Sequence, residues 1–263
     1  MDIDTVIVAG GLNEGQLKEL SPEKYEALIK IGGKPMVEYV VRETVNAQNT
    51  ENIIVVGPKE ISDVLSGEVL QRIELVDNGG SLLDNVQKGI NNLGSSGYVL
   101  LMTSDIPLIR SEMVDYFINR CKEKAKNADY DIFYPLISQQ SSLEKYPGAV
   151  RTTFRLKEGV FTGGNLIIIR REILPSLLSI LKEVIAWRKK PWKLVSFLGL
   201  GYFLKYLIGR LSIKNIETKA RGITGFSLKG LIVTYPEIGF DIDKQVDLKY
   251  INQYFDHHRE KTD

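Results

Sequence analysis

Asp105 closes the run "VLLMTSD", and Asp241 and Asp243 alternate in "GFDID". The apolar run puts Asp105 at the carboxyl end of a buried strand, where open α/β sheets place ligands. Pro107 ends regular structure two residues later and leaves the carboxylate facing a crevice. Alternate residues of an extended stretch share a face, so either Asp241 or Asp243 can hold a metal while the other is solvated. Mg²⁺ takes one or two carboxylates together with substrate phosphate oxygens and water, and this supply of aspartates suits it. The alternative for Asp105 is a helix cap before "RSEMVDYF", but Ser111 is better placed for that role. Near the N-terminus, "VIVAGG" ends at Gly10 and Gly11. Glycines there let the backbone approach a ligand and turn N–H groups toward anionic oxygens. The loop fits neither the P-loop pattern nor the dinucleotide pattern, and a tight strand-end turn explains the glycines equally well. The aspartates suit a metal, and the glycines on their own leave a phosphate role and a simple turn equally open.

The elements that must position them alternate. "TVIVA" (5–9), "NIIVVG" (52–57), "RIELV" (72–76) and "YVLLMT" (98–103) are short, β-branched and apolar on both faces, as buried parallel strands are. Between them, "KPMVEYVVRETVNAQ" (34–48) and "SLLDNVQKGINNL" (81–93) read as helices, with Pro35 suited to a first turn and Ser81 with Asp84 forming a capping box. Strand, helix, strand with short loops implies right-handed crossovers and helices on both faces. "DIFYPLI" (131–137), "AVRTTFRL" (149–156), "NLIIIR" (165–170) and "GLIVTY" (230–235) read as further strands, with "LKEGVFTGG" as a glycine-rich connection. Residues 172–220 are mostly helical, and a last helix follows "GFDID". The 263 residues therefore read as one domain with a helical insertion at about 172–220.

Composition excludes several classes. A net charge of +1 gives no electrostatic footprint for nucleic acid. The single cysteine, Cys121, excludes a disulfide framework and a cysteine-rich zinc site, and reads as an inert thiol on a helix. The first residues have no basic, apolar leader pattern, which points to a cytoplasmic protein.

"AGG", a polar loop and then "ALIKIGGKPMVEYVV" resemble the opening signature of the nucleotidyltransferases, in particular the MobA-like NTP transferases. "GGSLLDNVQKGI", "VLLMTSDIPLI" and "GFDIDKQVDL" continue the likeness in order over nearly the whole chain. The resemblance implies a three-layer, Rossmann-like, mostly parallel mixed sheet of the nucleotide-diphospho-sugar transferase (GT-A) type. It also implies roles. Ala9, Gly10 and Gly11 would surround base and phosphates, Gly80, Ser81 and Asn85 would lie near the nucleoside, and Ser104 would stand beside the metal aspartate. Asp105 would bind Mg²⁺, with Asp241 or Asp243 as a second ligand. The expected reaction is attack by an acceptor phosphate oxygen on the α-phosphorus of an NTP, releasing pyrophosphate. Relatives carry an arginine in the glycine loop and a lysine before the "ALL"-like stretch. Here the loop has no arginine, and Glu26 stands at, or one residue from, the lysine's place. Lys18, Lys24, Lys30 and Lys34 are the candidate replacements, with Lys34 the best motif match and Lys24 within a small loop shift. Glu26 is expected to point away from a triphosphate that would repel it.

By the same resemblance, Gly163, Gly164 and Asn165 in "FTGGNLIII" bind the acceptor, although a hairpin or bulge explains them as readily. The stretch 185–214 interleaves aromatic residues with Arg188, Lys189, Lys190, Lys193, Lys205 and Arg210. Its apolar run, Val195 to Ile208, is about 14 residues and too short to span a bilayer. It suits a helix lying in a membrane interface, a lid through which Arg188 and Lys189 meet a lipid-like acceptor phosphate, or a packing helix with a basic edge. Two other functions compete. A glycosyltransferase of the same fold would use "DID" as its D-x-D, and a weakly catalytic nucleotide-binding protein would explain the missing arginine.

Overall fold

β1 (Ile3–Val8) is buried along its whole length. Its alternate side chains feed two separate cores, which is why its sequence is apolar without alternation. Ile3 and Ile7 join one core with Val37, Val41, Leu100 and Phe117, while Val6 and Val8 join another with Val86, Ile90 and Leu177. Each such side chain contributes about 1.5–3 kcal/mol by leaving water.

The structure is a computed structural model describing residues 3–94, 97–148, 151–187 and 199–259. A small hairpin, β2 (Lys30–Ile31) with β3 (Lys34–Pro35), leads into α1 (Met36–Asn46), which begins directly after Pro35. β4 (Ile53–Gly57) follows, then the short helices α2 (Ile61–Val64) and α3 (Gly67–Leu70), and β5 (Glu74–Asp77). Next come α4 (Leu82–Asn91), β6 (Tyr98–Thr103), α5 (Ser111–Ala125) and β7 (Ile132–Ser138). Ser81 caps α4 by accepting from the Asp84 amide at 3.2 Å. Ser111 does not cap α5; it is the first helical residue, and Glu43 accepts its amide hydrogen at 3.0 Å.

α6 (Gln139–Lys145), β8 (Phe154–Leu156), β9 (Gly159–Gly163), β10 (Leu166–Arg170) and α7 (Leu174–Trp187) complete the middle of the chain. The last elements are α8 (Leu200–Leu207), α9 (Ile213–Thr224), β11 (Leu228–Val233) and α10 (Gln245–Arg259). Part of the glycine-rich stretch read as a connection is therefore a strand, β9, and of the expected 149–156 strand only Phe154–Leu156 pairs among the described residues. The main sheet runs β5-β4-β1-β6-β10-β7-β9-β8, with β11 on β7. Only β9 and β10 run against the rest, so the expected mostly parallel mixed sheet forms. Within residues 172–220 the described helices are α7, α8 and α9; Arg188 and Lys189 lie outside the described residues.

Cys121 lies on α5 with no exposed surface, and burial pushes its thiol well above the ordinary range. The native protein should therefore be inert to thiol-specific reagents, and labelling should appear only with denaturant. Rapid labelling of the folded protein would contradict this packing.

Candidate functional site

Four parallel strands set the stage. β1 is flanked by β4 on one side and β6 on the other, so successive crossovers depart in opposite directions at the carboxyl ends of β1 and β6. Such a switch point opens a crevice. A cleft of about 610 Å³ occupies it, walled by the Gly10–Gly11 loop, the loop after β5 and the residues after β6.

Gly10, Gly11, Gly80, Ser81, Asn85, Ser104, Asp105 and Lys24 all line this cleft. Ala9 does not: its amide donates to the Val56 carbonyl at 2.8 Å and its side chain is buried. Lys34 is also absent from the wall. It sits in β3, where the turn of the hairpin aims its ammonium at Glu38, 2.7 Å away. Lys24 is the one lysine or arginine lining the cleft among the described residues.

Gly10 shows why a glycine is needed. A Cβ there would come 2.6 Å from Asn85 Nδ2 and 2.7 Å from Asn78 Cβ. Asn85 is buried, and its Oδ1 accepts the Gly79 amide hydrogen at 2.5 Å, which pins the loop after β5. Gly11 has more room, since its Cβ would meet only the flexible end of Glu26 at 3.3 Å. Gly10→Ala should therefore weaken nucleotide binding by about 10–100-fold, a loss of about 1.4–2.7 kcal/mol, and Gly11→Ala by much less. Isothermal titration of the two variants checks the ordering.

Glu26 corrects an expectation. It faces the cleft rather than pointing away. Its amide donates to the Gly11 carbonyl at 3.0 Å, and Ala27 and Leu28 behind it must enter the core, so the short 3₁₀ turn leaves Glu26 outward. Burial raises its pKa, and the charges of Asp105 and Asp243 raise it further.

Asp105 is partly buried two residues beyond the end of β6. Burial lifts its carboxyl to about 6, with Asp241 and Asp243 adding to the rise, while a hydrogen bond from Thr103 Oγ1 opposes it. Phe240 and Ile242 are buried, so Asp241 and Asp243 share the opposite face of their segment. The Ile242 amide donates to the Asp105 carbonyl at 2.9 Å, which ties the two segments together. Asp247, in the first turn of α10, accepts from the Lys244 amide at 3.1 Å. Arg151 pairs with Asp247 at 3.2 Å and with Asp241 at 3.5 Å, its guanidinium 4.4 Å from the Phe240 ring centroid. A small polar pocket of about 140 Å³ holds Asp241, Asp243, Gly163 and Asn165. Gly164 lies just beyond, against an apolar cavity.

No group of three metal-ligating side chains stands ready as a cage among the described residues. Asp105 with one of Asp241 and Asp243 is an oxygen donor set of the size that Mg²⁺ accepts when substrate supplies the remaining ligands. A larger hollow of about 700 Å³ near Ser138–Glu144 and Glu158–Phe161 has neither a glycine loop nor a strand-end carboxylate, so volume alone does not mark the site.

The sequence signature described as the MobA-like NTP transferase domain matches residues 5–193. The chain belongs to that family. A probable molybdenum cofactor guanylyltransferase of Thermococcus gammatolerans is 29% identical over 165 residues, covering 62% of this chain and 81% of that protein. The bifunctional protein GlmU of Acetivibrio thermocellus is 32% identical over 120 residues, 44% of this chain, and the match spans only 26% of GlmU's own length. Among solved structures, a hypothetical transferase from Thermus thermophilus superposes with a TM-score of 0.79 at 30% identity, covering 94% of this chain and all of that one. A 4-diphosphocytidyl-2C-methyl-D-erythritol synthase of Anaerococcus prevotii shares the fold, with a TM-score of 0.57 at 15% identity over 97% and 96% of the two chains.

Within this MobA-like frame, sequence reading missed Asn78, Gly79, Thr103 and Arg151. Thr103 stands two residues before Asp105 at the strand end, and Asn78–Gly79 follow a strand directly, so strand-end position was the available signal. Arg151 gave none, because its partners are about 90 residues away.

Proposed function

We propose that this chain is a Mg²⁺-dependent nucleotidyltransferase that moves an NMP from an NTP to a phosphorylated acceptor. The observation that carries this reading is the cleft at the β1/β6 switch point, lined together by a glycine loop, Lys24 and the partly buried Asp105. Gly10 and Gly11 offer backbone N–H groups to the triphosphate. Lys24 offsets its charge, and the loop at Gly79–Ser81 with Asn85 holds the nucleoside end. A Mg²⁺ ion on Asp105 and one of Asp241 and Asp243 would neutralise charge developing on the phosphates. An acceptor phosphate oxygen, seated near Gly163 and Asn165, forms the new bond to the α-phosphorus as the bond to the β-phosphate oxygen breaks. The protein's share is positioning and charge neutralisation rather than covalent chemistry.

Donor choice tests this reading. NTPs should support acceptor-dependent pyrophosphate release, whereas nucleotide-sugars should not act as donors. Sugar transfer without pyrophosphate would establish a glycosyltransferase instead, and tight Mg-NTP binding without turnover on any acceptor would establish a binding protein.

A peripheral lipid contact is the second reading, favoured by α8. Leu200, Leu204, Leu207 and Ile208 are each more than half exposed there, beside Lys205 and Arg210. No helix of the described residues is long and apolar enough to cross a membrane. Co-sedimentation with anionic liposomes at low salt is expected, weakened when Arg188, Lys189 and Lys190 are neutralised. No sedimentation at low salt would remove this reading.

A further inference from the structure

An apolar cavity of about 260 Å³ opens beside the catalytic cleft, and the leucines and valines that form most of its wall have no role above. Its walls include Leu82 and Val86 of α4, Ile167 of β10, and Leu177, Leu178 and Leu181 of α7. Val8, Leu82 and Thr103 line both this cavity and the nucleotide cleft, and Asn165 lines both it and the polar pocket of Asp241 and Asp243. The three spaces therefore meet within reach of Asp105. Leu82, on the shared wall, is 56% exposed although it opens the helix that faces the nucleotide. A leucine-lined hollow is costly to leave against water, and an exposed apolar surface inside a binding cleft marks ligand contact. Sugar phosphates, polar on every side, would leave it unfilled.

We propose that the acceptor is a phosphate monoester with an apolar tail, an alkyl or prenyl chain, whose tail occupies this cavity. This rests on the nucleotidyl-transfer reading and gives its acceptor a chemical class. Asn165 and Thr103 mark the boundary between the two halves of the ligand. The phosphate lies on the side of Asp105, Asp241 and Asp243, and the tail runs between α4 and α7. In the transfer step an oxygen of this phosphate bonds to the α-phosphorus of the NTP, and pyrophosphate departs with the electron pair of the broken bond. The product joins nucleoside and tail through a diphosphate.

The test is direct binding of ethyl, butyl, hexyl and octyl phosphate to the full chain by isothermal titration with Mg²⁺ and no nucleotide. Because no turnover is measured, loss of tail binding and loss of nucleotidyl transfer are separately visible. Each added methylene should tighten the dissociation constant about three- to fourfold until the cavity is full. Leu181→Trp, which fills the cavity from α7, should abolish the chain-length dependence while ethyl phosphate and NTP still bind as in the wild type. Should that variant fail to fold, Val86→Phe narrows the same space from α4. Equal affinity for all chain lengths would overturn the proposal, and so would a folded cavity-filling variant that retains the wild-type chain-length dependence.

Discussion

Asp105→Asn will abolish Mg²⁺-dependent nucleotidyl transfer, by at least about a thousandfold in kcat, and yet raise the stability of the metal-free protein at neutral pH. Both effects come from one feature, a carboxylate whose ionised form is disfavoured by desolvation at the end of β6 and only partly offset by the hydrogen bond from Thr103 Oγ1. The sign is worked out from its shift. Asp105 has a folded-state value of about 6 against an ordinary 3.8, raised chiefly by burial. A group shifted upward holds its proton more tightly in the folded chain, so its contribution to stability falls as pH rises from 3.8 through about 6. Above that window the ionised group costs on the order of 1–3 kcal/mol. The amide of Asn cannot ionise and still accepts from Thr103 Oγ1. Denaturant unfolding should show the variant more stable than wild type at pH 7 and equal to it near pH 3.5, with the crossover in that window. Mg²⁺ should stabilise the wild type and not the variant. A variant that loses activity and stability together would mean that Asp105 is a structural residue.

The second large effect belongs to the lysine. Lys24→Ala should lower kcat/KM by about a hundredfold, a loss of about 2.7 kcal/mol of transition-state stabilisation. Lys34→Ala should cost little, since Lys34 is paired with Glu38 on the surface, where such pairs are worth about 0–1 kcal/mol. Glu26 supplies the converse. It lines the same cleft as Lys24 and Asp105, and a carboxylate there opposes a triphosphate. Glu26→Gln should therefore tighten NTP binding severalfold, and Glu26→Lys should recover part of the activity that Lys24→Ala loses. Comparison of these variants by steady-state kinetics decides which lysine serves the triphosphate. Equal losses from Lys24→Ala and Lys34→Ala would contradict the geometry.

Much of the fold was legible because its strands are buried on both faces. β1, β4, β6 and β10 therefore stand out as continuous apolar runs, and their observed ends fall within two residues of those expected. β9 was hidden by its glycines. Gly163 and Gly164 read as a loop, but they are small because Tyr134 and Pro135 crowd them; a Cβ on Gly163 would lie 2.0 Å from the Tyr134 hydroxyl. The orientation of Glu26 was misread for a related reason. Charge repulsion argued that it should turn away, whereas the burial of Ala27 and Leu28 and the bond to Gly11 decide which way the turn faces. The place of Asp105 just past a strand end was readable from the apolar run before it. Its meeting with Asp241 and Asp243 was not, because the Ile242-to-Asp105 bond joins segments 137 residues apart. Only the resemblance to a family brought them together in advance. Arg151, which holds that segment through Asp241, Asp247 and Phe240, carries no local pattern at all.

The central claim is that the α-phosphate of an NTP leaves this cleft attached to a phosphorylated acceptor. Phosphorus-31 NMR of a reaction containing the protein, Mg²⁺, an NTP and a phosphate-monoester acceptor follows every phosphorus atom at once. The account predicts a new diphosphate linkage between nucleoside and acceptor, formed in equal amount with pyrophosphate, and neither signal with Asp105→Asn. Pyrophosphate or inorganic phosphate released without the new linkage, or unchanged signals from wild type across all four NTPs and the acceptors tried, would contradict it.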